Sequence, residues 1–114
     1  MFKEKFNFAK IAEIARKSKE VRKEMDIANK EIEQMVIASS SECGAVSVTC
    51  NGRGKIGSIE LNLEALSSES PQYVNSLITK TVTQAQNHAA IIAEERMKKI
   101  TETLGLPSSQ ALNF

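Results

Sequence analysis

From Ile11 onward the chain places an apolar or small residue at Ile11, Ile14, Ser18, Val21, Met25, Ala28, Ile32 and Met35, with spacings that alternate between three and four. This is a heptad repeat with apolar a and d positions, and neither glycine nor proline interrupts it. It predicts a helix of about 40 Å at 1.5 Å rise per residue, whose narrow seam needs another helix to cover it. Ser18 and Ala28 weaken the seam, so a packed helix pair is expected in preference to a long independent coiled coil. After Val36 the period changes. Val46, Val48 and Cys50 alternate with Ser47, Thr49 and Asn51, as in a strand with one buried face. Asn51-Gly52-Arg53-Gly54 suits a hairpin turn, and Ile59, Leu61 and Leu63 then alternate with Ser58, Glu60 and Asn62 as the return strand. A two-stranded hairpin alone is marginal, so Met35 to Ser41 is expected to supply a third, edge strand.

Glu64 to Ser70 reads as a polar connection, and Ser70-Pro71 offers an N-cap followed by proline at the first helical position. A second helix is expected to begin there. Its apolar stripe is Val74, Ile78, Val82, Ala85, Ala89, Ile92 or Ala93, Met97, Ile100 and Leu104, and Gly105 with Pro107 stops it. The tail from Ser108 to Phe114 is expected to be mobile. The order helix, strands, helix predicts an α+β domain with a small antiparallel sheet. Two long amphipathic helices carry more apolar surface than one such sheet can cover, which points to self-association.

Composition sets bounds on these elements. The chain has 114 residues, 41% hydrophobic and 25% charged, with 15 Lys+Arg against 14 Asp+Glu. One globular domain spanning 1–114 fits; disorder, a collagen-like repeat and a disulfide-stapled scaffold do not. No apolar run approaches the roughly 18–20 residues of a membrane span, and MFKEKFNFAK lacks the pattern of a signal peptide, so a cytoplasmic protein with no membrane partner is expected. Cys43 and Cys50 form no CxxC pair, and reduced, structural roles are expected for both, with Cys50 in the core. The net charge of +1 conceals a polarity: residues 1–30 carry nine basic and five acidic groups, residues 31–69 two and six. Such segregation creates a local field able to attract an anion.

Gly52-Arg53-Gly54-Lys55-Ile56-Gly57 matches G-x-G-x-x-G, the dinucleotide-binding pattern. That motif works because its last glycine opens a helix whose N-terminus meets the pyrophosphate, whereas Ser58 to Leu63 alternates as a strand. A glycine-rich hairpin is the better reading. Catalytic chemistry is poorly provided for, with one His (His88), one Asp (Asp26) and no recognisable nucleophile motif. His88 lacks companions at metal-ligand spacing, and Glu94-Glu95 and Glu60/Glu64 read as solvated charge. No enzyme activity, metal, cofactor or small-molecule substrate is expected.

The basic residues of the first helix are the most informative charges. With Ile11 at position a, Arg16, Lys23 and Lys30 occupy f, opposite the seam, with Lys10 and Lys17 at g, Lys19 at b and Arg22 at e. This stripe spans about 30 Å, comparable to one turn of duplex DNA at about 34 Å, and spaced cations are what phosphate contacts require. Solvation of a coiled-coil exterior is the plainer use of the same charges. Phe2, Phe6 and Phe8, interleaved with Lys3, Lys5 and Lys10, suit a helix staple or a dimer contact better than base stacking.

With these elements placed, the chain resembles the YbaB/EbfC family of bacterial nucleoid-associated proteins over nearly its full length. The resemblance rests on the charged heptad helix, on Gly44-Ala45-Val46-Ser47-Val48-Thr49-Cys50-Asn51-Gly52, and on Ile59-Glu60-Leu61-Asn62-Leu63 with Leu66. It extends to Ala93-Glu94-Glu95-Arg96-Met97-Lys98-Lys99-Ile100-Thr101 before Gly105-Leu106-Pro107. It implies an α-β-β-β-α subunit, a homodimer with helices projecting like tweezer arms, double-stranded DNA as partner with little sequence specificity, and roles in nucleoid organisation and gene regulation. Two departures bear on the binding surface. The glycine-rich acidic turn of relatives reads Ser39-Ser40-Ser41-Glu42-Cys43-Gly44 here, and the often charged middle of the second helix reads Thr83-Gln84-Ala85-Gln86-Asn87-His88. The first helix is thereby left as the main cationic surface, with Lys10, Arg16, Lys17, Lys19, Arg22, Lys23 and Lys30 as candidate phosphate contacts and Ile11, Ile14, Val21, Met25 and Ile32 as the dimer or core seam. The alternative is a coiled-coil adaptor that binds a protein partner.

Overall fold

A computed structural model describes residues 8–103 and residue 105. Phe2, Phe6, Lys3, Lys5, Leu104, Pro107 and the Ser108–Phe114 tail lie outside the described residues, as do the side chains of Phe8, Lys10, Ile11 and Ile14. The elements run α1 (Phe8–Gln34), β1 (Ile37–Ser40), β2 (Val46–Cys50), β3 (Ile56–Leu61), α2 (Leu63–Leu66) and α3 (Pro71–Thr103). The strands form one antiparallel sheet in the order β1-β2-β3. This is the α-β-β-β-α, α+β subunit expected from the sequence, with one added turn of helix.

Helix α3 is the element that organises the rest. Ser70 caps it, accepting from the Tyr73 N–H at 3.1 Å, and Pro71 is its first residue. At the other end Gly105 turns with φ +72° and its N–H donates to the Glu102 carbonyl, closing the helix. The first half of α3 covers the sheet: Val74, Leu77, Ile78, Val82, Ala85, Ala89 and Ile92 pack with Ile37, Val46, Val48, Cys50 and Leu66. The second half covers α1, where Met97, Ile100 and Ala93 meet Val21, Met25, Ala28 and Ile32. The two helices run antiparallel, since Glu31 of α1 pairs with Arg96 while Glu20 and Glu24 lie beside Ile100 and Thr103. Met35 touches both clusters and joins them. Burying side chains such as Ile32, Val46 and Val48 is worth about 1.5–3 kcal/mol each.

The heptad seam is therefore spent within the chain from Val21 onward. Met25 and Ile32 are buried and Val21 half-buried, whereas Ser18 is exposed. Two threonines that look out of place inside α3 are satisfied locally: buried Thr81 donates to the Leu77 carbonyl at 2.7 Å and buried Thr101 to that of Lys98 at 2.8 Å. Cys50 is in the core as expected, its thiol 3.5 Å from the Ala85 carbonyl, and burial pushes that thiol's pKa up.

The return strand differs from expectation. It starts at Ile56 and ends at Leu61, because Gly57 forms a bulge that shifts the register between Thr49 and Cys50. Leu63 belongs to α2, which Asn62 caps by accepting from the Ala65 N–H, and Leu66 of this turn is buried in the core. The supposed polar connection thus contributes a core residue. Ile59 and Leu61 share the sheet face of Val48 and Val46, yet α3 does not reach over them, and they remain 45% and 38% exposed, with Leu63 at 72%.

The glycine-rich hairpin serves packing. The Gly52 N–H donates to the Ile32 carbonyl near the end of α1 at 2.8 Å, and a Cβ at Gly52 would stand 2.6 Å from both that oxygen and Ile32 Cγ2. Gly54 adopts φ +81° in the turn. Gly57 lies inside a strand, so no helix opens where a dinucleotide loop requires one.

Candidate nucleic-acid interface

Arg16, Lys19, Arg22, Lys23 and Lys30 are exposed and line one continuous shallow surface on the outer side of α1, together with Glu20, Asp26 and Ile27. The f positions recur every seven residues, about 10.5 Å along the axis, and Lys19 and Arg22 widen the ridge on one flank. From Arg16 to Lys30 the charges extend over about 21 Å. Glu20 and Asp26 interrupt the positive potential without removing it, since the surface holds five cations to two acids.

Lys17 does not belong to this surface. It faces the opposite flank of α1, beside Glu13, Glu20 and Thr103 of α3, and although Arg16 also borders that flank, acids predominate along it: Glu24 and Glu31 follow there. The side chain of Lys10 lies outside the described residues. Arg96, one of the few cations of α3, is tied to that acidic flank, its Nε and Nη2 both donating to Glu31 Oε2 at 2.8 and 2.5 Å.

Toward the hairpin the basic ridge turns into a groove of about 710 Å³ lined by Ser18, Val21, Arg22, Met25, Asp26, Asn29, Arg53 and Met97. Arg22 belongs to both surfaces. Arg53 reaches it from the β2–β3 hairpin, and its guanidinium donates to the Asn29 side chain. Sequence reasoning left Arg53 off the basic surface because 24 residues separate it from Asn29. The available signal was Gly52, whose lack of a side chain permits the hairpin to dock on α1.

Cys43 sits apart from these charges, exposed in the turn between β1 and β2, in a pocket of about 300 Å³ that Ser41, Tyr73, Lys80 and Thr81 help to line. A hydrogen bond with Ser41 at 3.5 Å, aided by the Ala45 backbone N–H, holds its pKa below the ordinary thiol value. Among the described residues no three His, Cys, Asp or Glu side chains are grouped so as to hold a metal ion, and no helix is long and apolar enough to cross a membrane.

Comparison with known proteins bears on this basic, helical surface. A nucleoid-associated protein of Acinetobacter baumannii is 32% identical to the chain over 99 residues, covering 87% of it and 90% of the relative. A nucleoid-associated protein of a Synechococcus strain is 32% identical over 100 residues, covering 88% and 89%. The crystal structure of an uncharacterized protein from Helicobacter pylori superposes with a TM-score of 0.54 at 18% identity, over 87% of this chain and 97% of that one, and shares its fold. Residues 7–104 match the model of the YbaB/EbfC DNA-binding family, which together with these relatives makes the chain a member of that family.

Proposed function

We propose that the protein binds double-stranded DNA as a homodimer with little sequence specificity, alters its conformation, and so contributes to nucleoid organisation and gene regulation in the bacterial cytoplasm. The single observation that carries this reading is the continuous surface of Arg16, Lys19, Arg22, Lys23 and Lys30 on one side of α1. Ammonium and guanidinium groups spaced along a helix suit phosphate oxygens, and such contacts position a protein on a duplex without reading bases. Nothing in this chemistry calls for catalysis, a cofactor, a small-molecule substrate or a membrane. Lys10 and Lys17 would take outlying parts. The whole of residues 1–114 acts as one domain in this scheme.

Dimerisation is supported by the β3 side of the sheet, where Ile59, Leu61 and Leu63 remain exposed on a single chain and β3 is an edge strand. A second copy applied there would cover apolar surface that α3 leaves open. Light scattering at micromolar concentration should give twice the 12.5 kDa chain mass. Leu61→Asp should give a folded monomer, and a wild-type monomer would overturn the dimer.

Gel-shift titrations with unrelated duplexes test the DNA reading. Binding should fall steeply with salt, with a slope of log K against log salt near −0.9 per phosphate neutralised, and similarly for every sequence. Replacing Arg16, Lys17 and Lys23 together by Glu should abolish binding while the dimer survives. No wild-type binding at low salt would overturn DNA binding in favour of a protein-partner adaptor, for which Ile27, exposed among the cations, would be the apolar contact.

A further inference from the structure

Arg53 stands at the tip of the β2–β3 hairpin, exposed, with its guanidinium donating to Asn29 of α1. The tip that carries it is fixed from several directions. Asn51 Oδ1 accepts from the Arg53 N–H at 2.8 Å and the Lys55 N–H at 3.0 Å, Gln86 Nε2 of α3 donates to the Gly54 carbonyl at 3.0 Å, and the Gly52 N–H docks on Ile32. A long, mobile side chain loses rotamer entropy whenever it grips a ligand. Here that ordering is already accomplished by the turn and by Asn29.

The groove that Arg53 enters is continuous with the basic ridge, because Arg22 lines both. Two guanidinium side chains from different elements thus converge on one groove, with Asp26 as the acid among its lining residues. The groove thus holds two cations to one acid, a positive balance that favours an anion. A guanidinium offers five N–H donors in a planar fork, more than one amide oxygen can accept, so Arg53 can hold Asn29 and a phosphate oxygen together.

We propose that Arg53 is a phosphate contact that carries the DNA-binding surface of α1 across to the hairpin, with Asn29 as the residue that aims it. This rests on the reading of α1 as the phosphate-binding face. The competing role is a structural tie between hairpin and helix, which has no reason to alter the salt dependence of binding.

Binding of a random-sequence duplex to Arg53→Gln, Arg53→Lys, Asn29→Ala and Arg16→Gln/Lys23→Gln proteins between 50 and 200 mM salt separates these roles. Arg53→Gln should reduce the magnitude of the slope by about 0.9 for each protomer engaged, so that its disadvantage relative to wild type shrinks roughly 3.5-fold across that range with one protomer engaged and about 12-fold with two. Arg53→Lys should keep the wild-type slope. Asn29→Ala should bind several-fold more weakly with the slope unchanged, since the charge remains but is no longer aimed; wild-type affinity would overturn the aiming role. If Arg53→Gln matches wild type in slope and affinity while Arg16→Gln/Lys23→Gln loses both, Arg53 is a tie and the proposal is overturned, with the α1 surface intact. If the slope changes for Arg53→Gln but not for Arg16→Gln/Lys23→Gln, the contact stands and the α1 reading falls.

Discussion

Gly52→Ala places a methyl group where the structure has no room. The added carbon would sit 2.6 Å from Ile32 Cγ2 and 2.6 Å from the Ile32 carbonyl oxygen. Neither neighbour can give way cheaply: Ile32 is buried and β-branched, with one strongly preferred helical rotamer, and the oxygen belongs to the helix backbone. The hairpin must retreat, stretching the 2.8 Å bond from the Gly52 N–H to that oxygen. Overpacking of this kind costs about 1–3 kcal/mol, and the lost hydrogen bond adds about 0.5–1.5 kcal/mol. Alanine also restricts the unfolded chain, which offsets about 0.4–1 kcal/mol. The expected net loss is roughly 1–4 kcal/mol, or some 4–16 °C in Tm at about 4 °C per kcal/mol for a domain near this size. Circular dichroism melts and urea titrations should be run at one fixed protein concentration, because the proposed dimer would make stability concentration-dependent. Gly54→Ala is the comparison. Its nearest neighbour is Gln86 at 3.8 Å, so its cost comes from φ +81°, roughly 1–2 kcal/mol. A Gly52→Ala protein within 0.5 kcal/mol of wild type would refute the docking of the hairpin on α1.

Ile32→Ala should cost about 2–5 kcal/mol in urea unfolding, since it empties a buried site between the two helices and the hairpin; a change under 1 kcal/mol would contradict that packing. Arg96→Ala should change stability by no more than about 1 kcal/mol, because the Glu31 pair is substantially exposed, and it should leave DNA affinity near wild type. Native protein should react with a thiol reagent at Cys43 and spare Cys50 until unfolded. The pH midpoint for Cys43 alkylation should lie below that of the same cysteine in urea, because the folded state favours its thiolate; an equal or higher midpoint would contradict the Ser41 hydrogen bond.

What the sequence reveals about this fold depends on whether a local period records the packing. The α1 seam was legible because one heptad face meets one partner helix, and β2 because Val46, Val48 and Cys50 alternate without interruption. At β3 the bulge at Gly57 breaks the alternation, so the strand's start at Ile56 is invisible, and α2 is too short to establish any period. The cations were legible as a basic helix but not as a surface. Positions f and g are about 100° apart on a helix, enough to send Lys17 to the flank of Glu24 and Glu31 once α3 divides α1 into two sides. Arg53 joins the surface through tertiary contact alone.

The continuity of α3 has a mechanical consequence. Its 33 residues span about 50 Å, with the sheet gripped by one half and α1 by the other, and no internal glycine or proline to provide a hinge. It is a lever whose bearing is the contact of Ala85 and Ala89, both fully buried, against β2. From that bearing to Thr103 is about 24 Å, so a tilt of about 10° sweeps the far tip through roughly 4 Å, about one base-pair step of a duplex. The packing of two methyl groups against the sheet therefore bears on where cations roughly 20 Å away come to rest.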